Sequence, residues 1–134
     1  MAKTILITGA SSGLGAGMAR EFAAKGYNLA LCARRLERLE TLKQELQSQY
    51  SIQVGIKVLD VTHYDDVFTV FKAFQQDFGT IDRIIVNAGV GEGRRIGKGH
   101  FDVNRATAET NFISALAQCE AAVEIFRAQN RGHL

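Results

Sequence analysis

The residues with the most chemical content stand in Thr8-Gly9-Ala10-Ser11-Ser12-Gly13-Leu14-Gly15, directly behind the apolar run Ile5-Leu6-Ile7. A strand that feeds a glycine turn, which in turn opens a helix, makes a phosphate trap. The first N–H groups of a helix have no intrahelical partner, and the helix dipole adds partial positive charge there. The three glycines divide the work: Gly9 permits the sharp turn, Gly13 the close approach of a pyrophosphate, and Gly15 the packing of helix on strand. The order Gly-x-x-x-Gly-x-Gly is not the Gly-x-Gly-x-x-Gly of many dinucleotide sites. It also lacks the Lys-Ser/Thr ending of a nucleoside-triphosphate loop, which argues against ATP or GTP hydrolysis. A second group, Ala33-Arg34-Arg35, follows another apolar run. There an NAD site would place an acid for the ribose 2′-hydroxyl, and Arg34 instead offers a planar fork suited to a phosphate. The competing reading of these arginines is a solvated basic start to the next helix.

These groups need elements to hold them. The sequence predicts strands at Thr4 to Thr8, Asn28 to Ala33, Val54 to Asp60 and Ile81 to Asn87. Between them come a helix from Gly13 to about Lys25 with Leu14, Met18 and Phe22 on its apolar side, and a second one carrying Leu36, Leu39, Leu42 and Leu46. The third predicted helix starts at a capping-box-like Thr62 and Asp65, with Val67, Val70, Phe71, Phe74 and Phe78 along one face. Those aromatics read as core packing rather than a cofactor box. A polar, glycine-rich loop from Gly89 to about His100 then leads to a long helix, roughly Val103 to Gln129. Strands alternating with helices imply a parallel sheet with right-handed crossovers, and ligands bind beyond the strands' carboxyl ends. Gly9, Ala33, Asp60 and Asn87 all fall at such ends.

Together, Thr8 to Gly15 and Val86-Asn87-Ala88-Gly89 resemble the Thr-Gly-x-x-x-Gly-x-Gly and Asn-Asn-Ala-Gly fingerprints of the short-chain dehydrogenase/reductase family, with Val86 in place of the first Asn. The resemblance implies a Rossmann-type, doubly wound α/β fold with strand order 3-2-1-4. It also implies a dinucleotide held by Gly9, Ser11, Ser12, Gly13, Leu14 and Gly15, and NADP in particular, with Arg34 on the 2′-phosphate helped by Ser11 or Arg35. Asp60-Val61 would take the adenine amino group, although an Asp closing a strand is also an ordinary turn residue. Asn87, Ala88 and Gly89 would flank the nicotinamide ribose, and Asn87 reads equally well as a brace for the central strand. Asn111 matches the Asn of the family's Asn-Ser-Tyr-Lys tetrad, where it shapes the helix and holds a water for proton relay. None of Tyr27, Tyr50 or Tyr64 has Lys four residues on, and no Ser follows the Asn111 helix. The resemblance therefore spans this chain but only the cofactor half of the family's fold. Residues 1–134 are expected to form one dinucleotide-binding domain that stops before the family's fifth strand. By itself it would be inactive.

Composition narrows the rest. In 134 residues, 46% are hydrophobic, enough for one real core, and a net charge of +2 without a basic stripe argues against nucleic acid. Arg94, Arg95 and Lys98 read as a solvated loop. Cys32 and Cys119 lie in apolar segments and read as buried thiols, no metal-ligand spacing is present, and no stretch reads as a secretion signal or membrane span. The expectation is a cytoplasmic NADP-dependent oxidoreductase acting on a small carbonyl or alcohol. One rival is a non-catalytic dinucleotide-binding or sensor module. Another, a methyltransferase-like fold, lacks its usual acid before the glycines, since position 8 is Thr. The fourth strand would be an exposed sheet edge, and Phe112, Ile113, Leu116, Ala117, Cys119, Val123 and Phe126 would give the last helix an apolar face. Both features predict self-association into a homo-oligomer, or else that the chain is the ordered remnant of a longer protein.

Overall fold

A computed structural model describes residues 2–134. The strands are β1 (Thr4–Thr8), β2 (Asn28–Ala33), β3 (Val54–Val58) and β4 (Arg83–Ile85). All pair in parallel in the order β3-β2-β1-β4, so the fold is the expected Rossmann-type α/β sheet. The helices are α1 (Gly13–Ala24), α2 (Leu36–Gln49), α3 (Tyr64–Phe78), α4 (Phe101–Ala108) and α5 (Ser114–Gln129). Strand side chains alternate between faces, and both faces are covered, which is why the central strands are apolar apart from Thr4, Thr8 and Asn28 at their ends. Ile5, Ile7, Leu29 and Leu31 pack with Ala16, Ala19, Ala23, Leu39, Leu42 and Leu46 from α1 and α2. On the opposite face Leu6, Ala30, Cys32 and Ile84 meet Val67, Phe71 and Phe74 of α3 and Ala121, Ala122 and Ile125 of α5.

Several local expectations are corrected. Leu14 does not begin the buried side of α1: it is 80% exposed, and Met18 and Phe22 are only half-buried. The buried stripe is Gly15, Ala16, Ala19 and Ala23, because small residues let α1 lie close to the sheet. Leu36, at the first turn of α2, is also exposed. Strand β3 ends at Val58, where its partner β2 ends at Ala33; β4 is confined to the three residues paired with Ile5–Ile7, and beyond them the Asn87 N–H turns to the Thr8 hydroxyl. Thr62 does not cap α3. Its hydroxyl donates to Asp60 Oδ1 at 2.6 Å, and His63 occupies the cap position without a side-chain bond.

The long last helix is broken by a π-helical turn at Glu109–Ile113, between α4 and α5. Cys119 is half-buried, not buried as expected. The outer edge of β4 is also partly covered. His133 bridges to Arg83, accepting from Ile84 N–H at 3.0 Å and donating to the Asp82 carbonyl at 3.1 Å. Just before that bridge, the Gln129 amide brackets the N–H and C=O of Ile81.

Candidate functional site

The carboxyl ends of the strands open into a cleft of about 780 Å³, within the range of small-molecule and cofactor sites. Its floor is the turn after β1. Gly9 has φ +64°, and a Cβ there would stand 2.8 Å from Ala88 Cα. Gly15 is tighter: a Cβ would stand 2.2 Å from the Gly9 carbonyl oxygen and 2.8 Å from Asn87 Nδ2. The packing role expected of Gly15 is therefore observed, and Gly15 itself does not line the cleft. The first hydrogen bond at the start of α1 runs from Ala16 N–H to the Ser12 carbonyl, and Ser12 supplies no side-chain cap. The N–H groups at Gly13 and Leu14 thus lack intrahelical acceptors where they border the cleft. A Cβ on Gly13 would meet no protein atom within 4 Å. The cradle is open to an anion of pyrophosphate shape, so the chain fits a dinucleotide here.

The remaining predicted residues gather around this turn. Ser11, Ser12, Leu14, Arg34, Arg35, Asp60, Val61, Asn87, Ala88, Gly89 and Asn111 all line the same cleft. Arg34 and Arg35 stand at the end of β2, and among the described residues neither forms an ion pair. Burial pushes the Asp60 carboxyl up, but hydrogen bonds from the Thr62 hydroxyl and N–H, with the charges of His63 and Arg34, bring it below the usual carboxylate value. Asp60 is therefore a fixed anion, held by Thr62. Both readings of Asn87 bear on one geometry: its Nδ2 donates to the carbonyls of Thr8 at 3.1 Å and Gly9 at 3.3 Å, bracing β4 to the turn while lining the cleft.

Thr8, which opens the glycine motif, holds the same joint from the other side, a role its sequence position alone does not assign. Its buried hydroxyl accepts from the N–H groups of Asn87 at 3.0 Å and Ala88 at 3.1 Å. Its place in the glycine motif was the available signal. Asn111 sits in the π-helical turn, where Oδ1 accepts from Val90 N–H at 2.8 Å and Nδ2 donates to the Val90 carbonyl at 2.7 Å. Its side chain thus fixes the chain just beyond Gly89, whose space for a Cβ it closes to 3.1 Å. Arg94, Arg95 and Lys98 are exposed and outside the cleft.

Strand order, glycine turn and a cleft at the strands' carboxyl ends define a Rossmann-type domain built for a dinucleotide. The family model for short chain dehydrogenase matches residues 3–134, and the chain belongs to that family. It is 53% identical over 131 residues to an uncharacterized oxidoreductase of Mycobacterium tuberculosis, a match covering 97% of this chain and 52% of the relative. The chain spans about half the length of that curated relative. Among solved structures it is similar to an alcohol dehydrogenase of Thermococcus sibiricus complexed with 5-hydroxy-NADP, with a TM-score of 0.92 and 30% identity, over 99% of this chain and 57% of the other. It is also similar to an NAD+-bound xylitol dehydrogenase, with a TM-score of 0.90 and 27% identity, over 97% and 50% of the two chains. Among the described residues no helix is long and apolar enough to cross a membrane, and no cluster of side chains is arranged to hold a metal ion.

Proposed function

We propose that residues 1–134 form the NADP-binding domain of a cytoplasmic oxidoreductase that moves a hydride between NADP(H) and a small carbonyl or alcohol compound. The observation that carries the cofactor choice is the pair Arg34 and Arg35, unpaired by any carboxylate among the described residues and lining the cleft where Ala33 leaves no acid. The complex of the Thermococcus alcohol dehydrogenase with an NADP derivative supports the same choice, whereas the xylitol dehydrogenase complex shows that a similar fold also takes NAD+.

In this reading Gly13, Leu14 and the Ser11-Ser12 turn hold the pyrophosphate, Arg34 the 2′-phosphate, and Asp60 with Val61 the adenine. Asn87, Ala88 and Gly89 form the wall at the nicotinamide ribose. Asn111 acts by positioning, because both polar atoms of its side chain are committed to Val90. When bound, the nicotinamide supplies the hydride chemistry. No tyrosine lines the cleft, so this chain offers no phenolic acid or base there and is proposed to bind cofactor without turning over. The exposed faces of Phe112, Ile113, Leu116 and Val123 favour a homo-oligomer. Reduced thiols at Cys32 and Cys119 suit the cytoplasm.

Titration of NADPH and NADH into the wild type and Arg34→Ala tests the reading. A charge-assisted bond is worth roughly 1.5–3 kcal/mol, so NADPH should lose about ten- to a hundredfold in affinity while NADH changes little. Equal wild-type affinities, or an unchanged preference in the variant, would refute it.

A further inference from the structure

The loop that follows Gly89 is sewn to α4 by more than Asn111. Asn104 repeats the same bracket further out: its Oδ1 accepts from Arg94 N–H at 2.8 Å, and its Nδ2 donates to the Arg94 carbonyl at 3.1 Å. Between the two, the Thr107 hydroxyl donates to the Glu92 carbonyl. The rungs are therefore Val90 with Asn111, Glu92 with Thr107, and Arg94 with Asn104. Every second loop residue meets one residue per helical turn, in antiparallel sense.

The lengths agree. From Asn104 to Asn111 an α-helix rises about 10 Å, and from Val90 to Arg94 an extended chain reaches about 13 Å at most. The segment must run nearly straight to meet all three rungs. Alternation then places Gly91 and Gly93 off the ladder, and a Cβ on either would meet nothing within 4 Å. The π-helical turn makes this possible in a continuous helix. Its extra residue shifts the face of α4 relative to α5, so Asn104 and Thr107 address the loop while Ser114, Gln118 and Ala122 stay buried against the core.

The inner rung, Val90, lines the cleft with Ala106, Thr110 and Asn111, whereas the outer rungs lie outside it. We propose that Asn104 and Thr107 are positioning residues that hold the Val90–Arg94 segment straight, so that its inner end, Val90, stands as a preformed wall at the nicotinamide end of the cleft. Without them that wall rests on one bracket and is ordered only when ligand binds, which weakens binding. The proposal rests on the cofactor reading of the cleft. It differs from it in affecting both nucleotides alike, because Arg34 and the 2′-phosphate lie at the other end.

The test combines amide hydrogen exchange with nucleotide titration in wild type, Asn104→Ala, Thr107→Val, the double variant, and the conservative Thr107→Ser. The Arg94 amide should exchange at least about tenfold faster in Asn104→Ala, and the Val90 amide should follow in the double variant. The amides of Asn87 and Ala88, bonded to Thr8, should stay protected, which separates a local wall from general loss of structure. In the double variant NADPH and NADH should both weaken about three- to tenfold with their ratio unchanged, and Thr107→Ser should behave as wild type. Unchanged Val90 exchange in the double variant, or unchanged affinity for both nucleotides, would overturn the ladder. Failure of wild type to bind either nucleotide would overturn the cofactor reading instead, with the exchange result still judging the ladder.

Discussion

Two glycines in α1, Gly15 and Gly17, should respond to the same substitution with opposite signs. A helix-interior Gly→Ala change gains roughly 0.5–1 kcal/mol from backbone entropy when the site accepts a methyl group. At Gly17 a Cβ meets nothing within 4 Å, so Gly17→Ala should keep that gain. At Gly15 it would stand 2.2 Å from the Gly9 carbonyl oxygen and 2.8 Å from Asn87 Nδ2. Backbone cannot swing aside as a flexible side chain does. Overpacking costs typically about 1–3 kcal/mol. Displacing Asn87 also endangers its bonds to Thr8 and Gly9, at roughly 0.5–1.5 kcal/mol each. After subtracting the entropic gain, Gly15→Ala should lose about 1–5.5 kcal/mol. With an unfolding entropy near ~2.1 cal/mol/K per residue, that lowers Tm by about 4–20 °C, while Gly17→Ala raises it by about 2–4 °C. Thermal unfolding by circular dichroism, supported by urea titration, is the assay. A Gly15→Ala protein as stable as wild type would refute the packing argument.

Four further outcomes are expected. In the native protein a maleimide should modify Cys119 and spare Cys32, whose thiol burial pushes up to about 12; intact mass showing two adducts before unfolding would contradict this. Because the folded thiol has the higher pKa, its contribution to stability is whole below the unfolded value of about 8.5 and should fall away as pH rises from there toward 12. The Asp60 shift has the opposite sign: a lowered folded pKa stabilises above the unfolded value of about 4 and is lost as pH falls through that region. The stability gap between wild type and Asp60→Asn should therefore narrow in acid, as urea midpoints at several pH values would record. Light scattering should show mass rising with concentration, and Leu116→Lys should reduce it; a monomer at every concentration would count against the apolar face of α5 as a contact.

What the sequence made legible follows from signal strength. The all-apolar runs of β1 and β2 and the glycine order after β1 each have one good structural explanation, and both were observed. Leu14 misled because periodicity rewards large apolar residues, whereas the buried stripe of α1 is made of Gly and Ala. The end of α3 toward the cleft was misjudged because Thr62 had two available partners, and Asp60 is two residues away. No residue pattern announces a π-helical turn, which is a matter of backbone hydrogen bonding. The ladder was more readable than it looked. Asn104, Thr107 and Asn111 are spaced for one helical face, and Gly89, Gly91 and Gly93 alternate in the loop opposite.

The cleft's two walls are joined through Asn87. Its amide grips the glycine turn, Gly15 packs against it, and the Thr8 hydroxyl holds its N–H and that of Ala88. Just beyond, Asn111 closes over Gly89 and brackets Val90, and the ladder continues to Arg94. The glycine turn and the Val90–Arg94 loop are thus two hydrogen-bonded joints linked in series through Gly89. Groups bonded in series do not contribute independently. A change at Gly15 should be felt at Val90, whereas a change at Arg34, which lies outside the series, should leave Val90 unmoved. The sheet's strand order produces this division: β1 and β4 are neighbours, so their loops can bond, while Arg34 rides on β2 at the far side of β1.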